Sequence, residues 1–457
     1  MPTAYTILFA LLVAVAIATW LVPAGEYTRV DGLPVAGSYH SVERQGQGAG
    51  DIILAAFHGF YDAVDVAVFI LMVGGFLGVV MKTGAIDAGV GSVVRLLGGR
   101  EILLIPVLMV LFSLGGTSFG MWEETMAFFP LLIPVFIAAG YDALTGIAVV
   151  LLGSGAGVIA GTVNPFATGI ASGFAGVSLG DGILIRLLML LVSDAAVIAY
   201  VMRYAVKVKS NPGRSLVADI HREERRPDGR SEVPELTGKR KVALVLFAVV
   251  FLIMIYAVIP FDEIGLPLPA FGWWFSELSG LFLVGGVLIG LLYGLGEEDT
   301  ISAFVGGAGE LLGVGFIIGI SRGITVLMES GKITDTVLYW GEQALSGASS
   351  VVFVLLVYLI YLPLSVLIPS SSGLATLSVP ILAPLGSFAG IGGDLIVTAF
   401  QAASGLVNLI TPTAAVVMGA LALGHVPYDR WVRFSWKIIL ILFAVTVGAL
   451  TLGTVMG

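Results

Sequence analysis

Cysteine is absent from all 457 residues, which excludes disulfides and thiolate metal sites together. Charge is scarce: Asp, Glu, Lys and Arg make up only 12% of the chain, against 58% hydrophobic residues. The net charge of −9 resides in polar loops and identifies no partner. The alternating pattern of a transmembrane barrel is also missing. No basic leader and no small-residue cleavage site precede Pro23, so Thr3 to Val22 reads as a retained first helix. Signatures of an intramembrane enzyme are lacking too: there is no His-Glu-x-x-His pair, no pair of catalytic aspartates and no Ser/Lys couple on facing helices. The sequence reads as a non-enzyme with no cofactor and no nucleic-acid partner.

What is present is apolar length. The mean hydropathy is +1.03, and several runs can each cross ~30 Å of hydrocarbon. A helix satisfies its own backbone polar groups in lipid, so the fold class is an all-α, multi-pass membrane protein. Nine crossings are expected, near 4–22, 64–82, 143–175, 183–203, 242–260, 273–295, 308–328, 394–424 and 434–455. Two further apolar segments, 101–139 and 351–390, carry small-residue turns at their middles and read as re-entrant helical hairpins. Half of the 22 Lys+Arg lie within 203–241, which makes that loop cytoplasmic. Counting outward places the N-terminus, Lys82, Arg95, Arg100, Arg430, Arg433 and Lys437 on the same side. Segment 261–272, with only Asp262 and Glu263, falls outside.

Two modules look like copies. Gly115-Gly116-Thr117-Ser118-Phe119-Gly120 with Gly161-Thr162-Val163-Asn164-Pro165 is matched by Pro369-Ser370-Ser371-Ser372-Gly373 with Asn408-Leu409-Ile410-Thr411-Pro412-Thr413. Asp51–Phe57 is echoed by Asp299–Phe304, Met81–Ile86 by Met328–Ile333 and Pro165 by Pro412, all with an offset of about 247 residues. The second copy is offset from the first by five crossings, an odd number, so it is inverted. The implied architecture is an inverted-repeat secondary transporter with two re-entrant hairpins and two broken transmembrane helices per protomer. Its expected parts are 1–50 (first helix and external loop), 51–206 (repeat 1), 207–241 (cytoplasmic linker), 242–297 (connecting helices) and 298–457 (repeat 2).

Proline removes a donor and breaks each helix near 161–165 and 408–413. Such backbone is tolerated at membrane depth only where it lines a cavity. The substrate-binding candidates are therefore Gly116, Thr117, Ser118, Glu123, Glu124, Asn164, Pro165, Thr168, Ser370, Ser371, Ser372, Gly373, Asn408, Thr411 and Thr413. One cation site is expected among Thr117, Ser118, Thr162 and Asn164, and its mirror among Ser370, Ser371, Asn408 and Thr411; Na⁺ or H⁺ could be the coupling ion. Glu123 and Glu124 are costly in lipid. Adjacent helical residues point about 100° apart, so one of them should face the solute while the other pairs locally. Arg322 suits either a solute carboxylate or one of these glutamates. Asp194, Gln401 and Glu310 are weaker candidates, and His58, Asp62 and Asp65 read as an interfacial face. Of Trp122, Trp273 and Trp274, only Trp122 is near enough to a turn to stack on a solute.

The ordered set of motifs Leu21-Val22-Pro23-Ala24-Gly25-Glu26-Tyr27, Gly37-Ser38-Tyr39, Gly115–Met121 with Glu123-Glu124-Thr125, Thr162–Gly169 and Ile368–Gly373 resembles the YfcC-like branch of the DcuC-type carriers, in the ion transporter superfamily. The resemblance implies a scaffold domain that mediates a homodimer, a mobile transport domain holding both hairpins, and elevator-type movement in the cell inner membrane. Members of that branch are labelled basic amino acid, or arginine/ornithine, antiporters. The related symporters carry Ser-Asn-Thr at both tips. This chain has Gly116-Thr117-Ser118 and Ser370-Ser371-Ser372 and lacks the tip Asn. The sequence thus reads as a carrier of a small amino-acid-like solute, with a Na⁺- or H⁺-coupled C4-dicarboxylate or short-chain carboxylate carrier as the alternative and a channel as a remote one.

Overall fold

The computed structural model describes residues 4–30, 33–86, 88–89, 92, 100–118, 120–220, 235–258, 261, 268–273, 275–345 and 347–456. Arg95, Phe119, Arg222, Arg225, Arg226, Arg230, Asp262, Glu263 and Trp274 lie outside the described residues, as do the side chains of Pro165 and Phe166. The helices are α1 (Ala4–Leu21), α2 (Ala49–Asp62), α3 (Val64–Lys82), α4 (Leu104–Ser118), α5 (Phe129–Ala138), α6 (Ala143–Ala160), α7 (Ile170–Ala175), α8 (Ile183–Ser210), α9 (Gly238–Val258), α10 (Phe275–Tyr293), α11 (Glu297–Ser330), α12 (Thr334–Leu345), α13 (Ser350–Leu367), α14 (Ser371–Phe388), α15 (Gly393–Asn408), α16 (Ala415–Leu423) and α17 (Tyr428–Met456). Short pairings interrupt this helical pattern: β1 (Gly25–Glu26) runs antiparallel to β4 (His40–Ser41), and β2 (Arg29–Val30) to β3 (Leu33–Pro34).

Nine of the described helical segments are long and apolar enough to cross a membrane. Seven coincide with expected crossings; the other two are the first arms of the expected hairpins, Glu101–Ser118 and Ser350–Leu367. The other two expected crossings are shorter: the apolar stretch of the first helix is Tyr5–Leu21, and α15 stops at Asn408, where the second break begins. The α11 helix extends well beyond the expected 308–328. Glu297, Glu298 and Asp299 occupy its first turn, where carboxylates complement the exposed amides and the positive end of the dipole. The amphipathic α12 was not foreseen by sequence, since its Thr, Asp, Glu and Gln residues break the apolar pattern used to find crossings.

At ~1.5 Å rise per residue, the 34 residues of α11 span about 50 Å and form the axis of the molecule. Helix α3 runs antiparallel beside it. Lys82 meets Asp299 at 3.3 Å near one end, and Asp62, just before α3, meets Arg322 at 3.7 Å toward the other. Arg240 Nε donates to the Thr83 carbonyl (3.1 Å) and Lys239 to that of Tyr293 (3.1 Å), so α9 starts at the Lys82 end. At the far end, Glu26 pairs with Lys332 (2.7 Å) and Arg29 with Asp335 (3.0 Å). The Lys332 hydrogen bond holds the Glu26 carboxyl below its ordinary range.

Segments 101–141 and 350–389 each run inward and return. Lys209 joins both ends of the first, lying 2.8 Å from Glu101 and 5.0 Å from the centre of the Tyr141 ring. The two ends of the second meet where Ser350 Oγ donates to the Ala389 carbonyl at 2.7 Å.

Helix α6 starts at Asp142, whose carboxylate accepts from the Thr145 N–H at 2.8 Å, and is buried along nearly its whole length. A helix apolar on every side is stable only when covered. Its contact with α4 is backbone to backbone: a Cβ at Gly157 would strike the Ser113 carbonyl, and one at Gly116 the Ser154 carbonyl. Small residues allow this approach, which draws on dispersion where lipid supplies no hydrophobic drive. Gly157→Ala should therefore destabilise the protein by roughly 1–3 kcal/mol, the usual cost of overpacking. Gly173→Ala, where a Cβ meets nothing within 4 Å, should not. Apparent melting temperatures of the two purified variants test the comparison, and equal values would refute the tight α4–α6 seam.

Candidate functional site

Both inward segments and both helix breaks meet at one cavity of about 330 Å³. From the first inward segment come Gly120, Trp122, Glu123 and Glu124, and from the first break Asn164. The second segment contributes Pro369, Ser370, Ser371 and Ser372, and the second break Asn408, Thr413 and Ala414. Other elements add to the wall, among them Asp62, Ala63, Asp65 and Val66 at the α2–α3 junction, Ile318, Ser321 and Arg322 on α11, and Gln401 and Ser404 on α15, with Val158 of α6, Phe275 of α10 and Val416 of α16 as apolar neighbours.

The first break is shaped by Gly161, which ends α6 in the left-handed region (φ +43°). The chain then makes one turn of π-helix over Pro165–Gly169 before α7. Thr168 Oγ1 donates to the freed Gly161 carbonyl at 2.8 Å. The tip of α4 braces the break. Thr117 Oγ1 accepts the Thr162 N–H at 3.0 Å, Thr162 Oγ1 lies 3.0 Å from Thr117 Oγ1, and the Thr117 carbonyl accepts the Val163 N–H at 3.2 Å. Gly120 (φ +77°) lies against the Asn164 amide, too close to admit a Cβ. Asn164 Oδ1 also accepts from the Ala167 N–H at 3.3 Å.

The second break is closed by side chains of α11 and α17. The Leu409 carbonyl accepts from the buried indole of Trp431 (2.9 Å), the Ile410 carbonyl from Tyr428 (2.6 Å) and the Thr413 carbonyl from Ser321 (2.7 Å). Thr411 and Thr413 hydroxyls lie 2.8 Å apart. Ser370 caps α14, its Oγ accepting from the Gly373 N–H at 3.2 Å, so the amide end of that helix borders the cavity.

Of the sequence candidates, Glu123, Glu124, Asn164, Ser370, Ser371, Ser372, Asn408 and Thr413 line this cavity, and Gly373 lines an adjoining one. Gly116, Thr117, Thr162, Thr168 and Thr411 stand behind the wall, engaged in the braces described above. Ser118 turns back to the Leu114 carbonyl (2.5 Å). Only the backbone of Pro165 is described, in the π turn. Both glutamates reach the cavity. Glu124 also accepts from the Trp122 N–H at 3.1 Å, a local pairing, while Glu123 lies within electrostatic reach of Arg322 and Asp65.

Asp62 and Asp65 depart from expectation, since they line the cavity rather than form an interfacial face. The helix breaks at Ala63 (φ −126°, ψ 26°), and this turns the α2–α3 junction toward Arg322. Two acids beside an apolar run were the available signal. Gln401, one of the weaker sequence candidates, lines the cavity: its Nε2 donates to the Val158 carbonyl (2.5 Å), while its buried Oε1 has no protein partner among the described residues.

Interrupted helices enclosing a polar chamber within an apolar, multi-pass chain are the make-up of a secondary transporter. The chain belongs to the DcuC family, described as "C4-dicarboxylate anaerobic carrier", whose profile matches residues 1–455. It is a membrane transporter and not an enzyme. A protein of Haemophilus influenzae of uncharacterized function is 35% identical over 96% of this chain and 94% of its own length. A protein of Escherichia coli (strain K12), provisionally named as the basic amino acid antiporter YfcC, is 29% identical over 99% and 97%. Among solved structures, the YdaH transporter of Alcanivorax borkumensis matches with a TM-score of 0.46 at 15% identity over 99% of this chain and 98% of that one. MtrF of Neisseria gonorrhoeae matches with a TM-score of 0.44 at 17% identity, over 99% and 95%.

Because Ser371 borders the cavity in the first turn of α14, Ser371→Leu should fill the chamber and abolish uptake while leaving expression and melting temperature near the parent's. Thr117→Val, which deletes one brace, should lower both uptake and melting temperature. Parental uptake by Ser371→Leu would remove that tip from the site.

Proposed function

We propose that this transporter carries a basic amino acid, such as arginine or ornithine, across the cytoplasmic (inner) membrane by exchange or ion coupling. The observation that carries the reading is charge: Asp62, Asp65, Glu123 and Glu124 line the cavity against the single guanidinium of Arg322. Arg322 pairs with Asp62 at 3.7 Å, which leaves the other carboxylates without an ion-pair partner of their own among the described residues; such groups are costly where water is excluded, and a cationic solute relieves that cost, whereas a dicarboxylate adds to it. A volume of about 330 Å³ is within the range of small-molecule sites. The solute's guanidinium or ammonium meets Glu123 and Glu124 in charge-assisted contacts. Its α-carboxylate meets Arg322 and the amides and hydroxyls at Ser370–Ser372, at the positive end of α14. The provisional name of the Escherichia coli relative agrees with this reading.

The family description favours a second reading, a C4-dicarboxylate or short-chain carboxylate coupled to Na⁺ or H⁺. Neutralising a carboxylate separates the two. Glu123→Gln should weaken arginine binding by roughly 10-fold or more, the scale of a lost charge-assisted contact. Glu124→Gln should differ from it, since Glu124 also holds the Trp122 amide. Calorimetry on the purified variants checks this. Parental arginine affinity in both, or a parent that binds only dicarboxylates, would replace the basic amino acid reading with the second one.

The same proposal includes the architecture expected from sequence: an inverted repeat of units 51–206 and 298–457, a scaffold and a transport domain, a homodimer and elevator-type movement. The inversion is supported by the inward segments, one closing beside Lys209 ahead of the basic linker, the other closing at Ser350 and Ala389. Single cysteines introduced at Arg100 and Ser349 in the cysteine-free chain should label from the cytoplasm and from outside, respectively. Labelling of both from one side would overturn the inversion.

A further inference from the structure

The site cavity has neighbours. A second cavity, of about 360 Å³, shares Asp62, Arg322, Ser370 and Ser372 with it. A third, of about 310 Å³, shares Glu329 and Leu377 with the second and is bordered by Gly25, Glu26 and Arg29 of the β1–β2 region. The cavities follow one another along α11 and α14 from the helix breaks to the end of the molecule that carries residues 25–42.

Ion pairs account for the cations along this line. Arg322 meets Asp62 (3.7 Å), Arg29 meets Asp335 (3.0 Å) and Lys332 meets Glu26 (2.7 Å). None of these pairs uses Glu329, which is exposed into both outer cavities at their junction. It sits in the combined field of Asp62, Asp335, Arg29 and Arg322. Seven residues along a helix separate it from Arg322, about 10 Å at ~1.5 Å per residue.

We infer that the three cavities form one access passage to the solute site, and that Glu329 at its waist is a transit site for a cationic group, an ammonium or guanidinium. A carboxylate where two cavities join concentrates cations and repels anions, and the next carboxylate inward, Asp62, lines both the second cavity and the solute site. The passage itself stands apart from the basic amino acid reading; the transit role for the transported solute rests on it.

The absence of native cysteine makes the test direct. Thr376→Cys and Leu377→Cys, placed singly in the full-length protein in liposomes, should react with small methanethiosulfonates. The trimethylammonium reagent should react about 5-fold or more faster than the sulfonate one, as expected for a site of negative potential. Adding Glu329→Gln should collapse that ratio toward unity and raise the KM for arginine, and Glu329→Asp should restore both. If arginine proves not to be a substrate while the ratio still depends on Glu329, the passage and its cation selection stand and only the solute assignment falls. No reaction at either cysteine would overturn the passage, and equal reagent rates, or a ratio unchanged by Glu329→Gln, would overturn the transit site.

Discussion

A helix broken within hydrocarbon must find new partners for the backbone groups it frees, and the rest of this structure depends on how that demand is met. In lipid each unsatisfied group costs several kcal/mol. Here most of the partners come from other elements: Thr117 at the first break, where Thr168 of the break itself adds another, and Trp431, Tyr428 and Ser321 at the second. Each break is thereby tied to an inward-running tip, to α17 or to α11. The chamber exists because these ties hold four chain interruptions at one place. The hydroxyls used as braces hold the breaks in position, and the wall facing the chamber includes Glu123, Glu124, Asn164, Ser370–Ser372, Asn408 and Thr413.

Electrostatics follows from that placement. The tip of α4 leads straight into Glu123 and Glu124, and the α2–α3 junction adds Asp62 and Asp65, while α11 offers one guanidinium in return. In the proposed reading this imbalance favours entry of a cation, because charge removed from water is offset only by close, well-directed partners. In the proposed cycle, that imbalance couples solute occupancy to closure of the two tips. A state that hides the carboxylates without a cation is disfavoured, as an exchanger requires.

Sequence reasoning reached most of the crossings from apolar length and the breaks from proline, glycine and asparagine inside an apolar run, which act on their own backbone, so both signals are local. Gly161 and Asn164-Pro165 declare a break without knowledge of any neighbour. The α11–α3 alignment, the Trp431 and Tyr428 caps on the second break, and the placement of Gln401 against Val158 are contacts between residues far apart in the chain. No periodicity carries them. Asp62 and Asp65 show the limit most clearly. Their helix alone has an interfacial, amphipathic look, and what turns them into chamber residues is the kink at Ala63 together with Arg322, 260 positions beyond Asp62.

Family and site bear on different questions here. Membership in the DcuC family sets the scaffold, whose demands are backbone satisfaction at the breaks and close approach at glycine seams such as Gly116–Gly157. Those demands are indifferent to the charge of the solute. In the proposed reading, substrate choice rests instead on side chains that face the chamber, and its acids, Asp62, Asp65, Glu123 and Glu124, belong to none of the braces described at the two breaks. A family described by dicarboxylates can therefore include a member whose chamber is acidic. The position of the negative charge, on the turn beside Gly120 rather than in the braced pair Thr117–Thr162, is what makes such divergence structurally inexpensive.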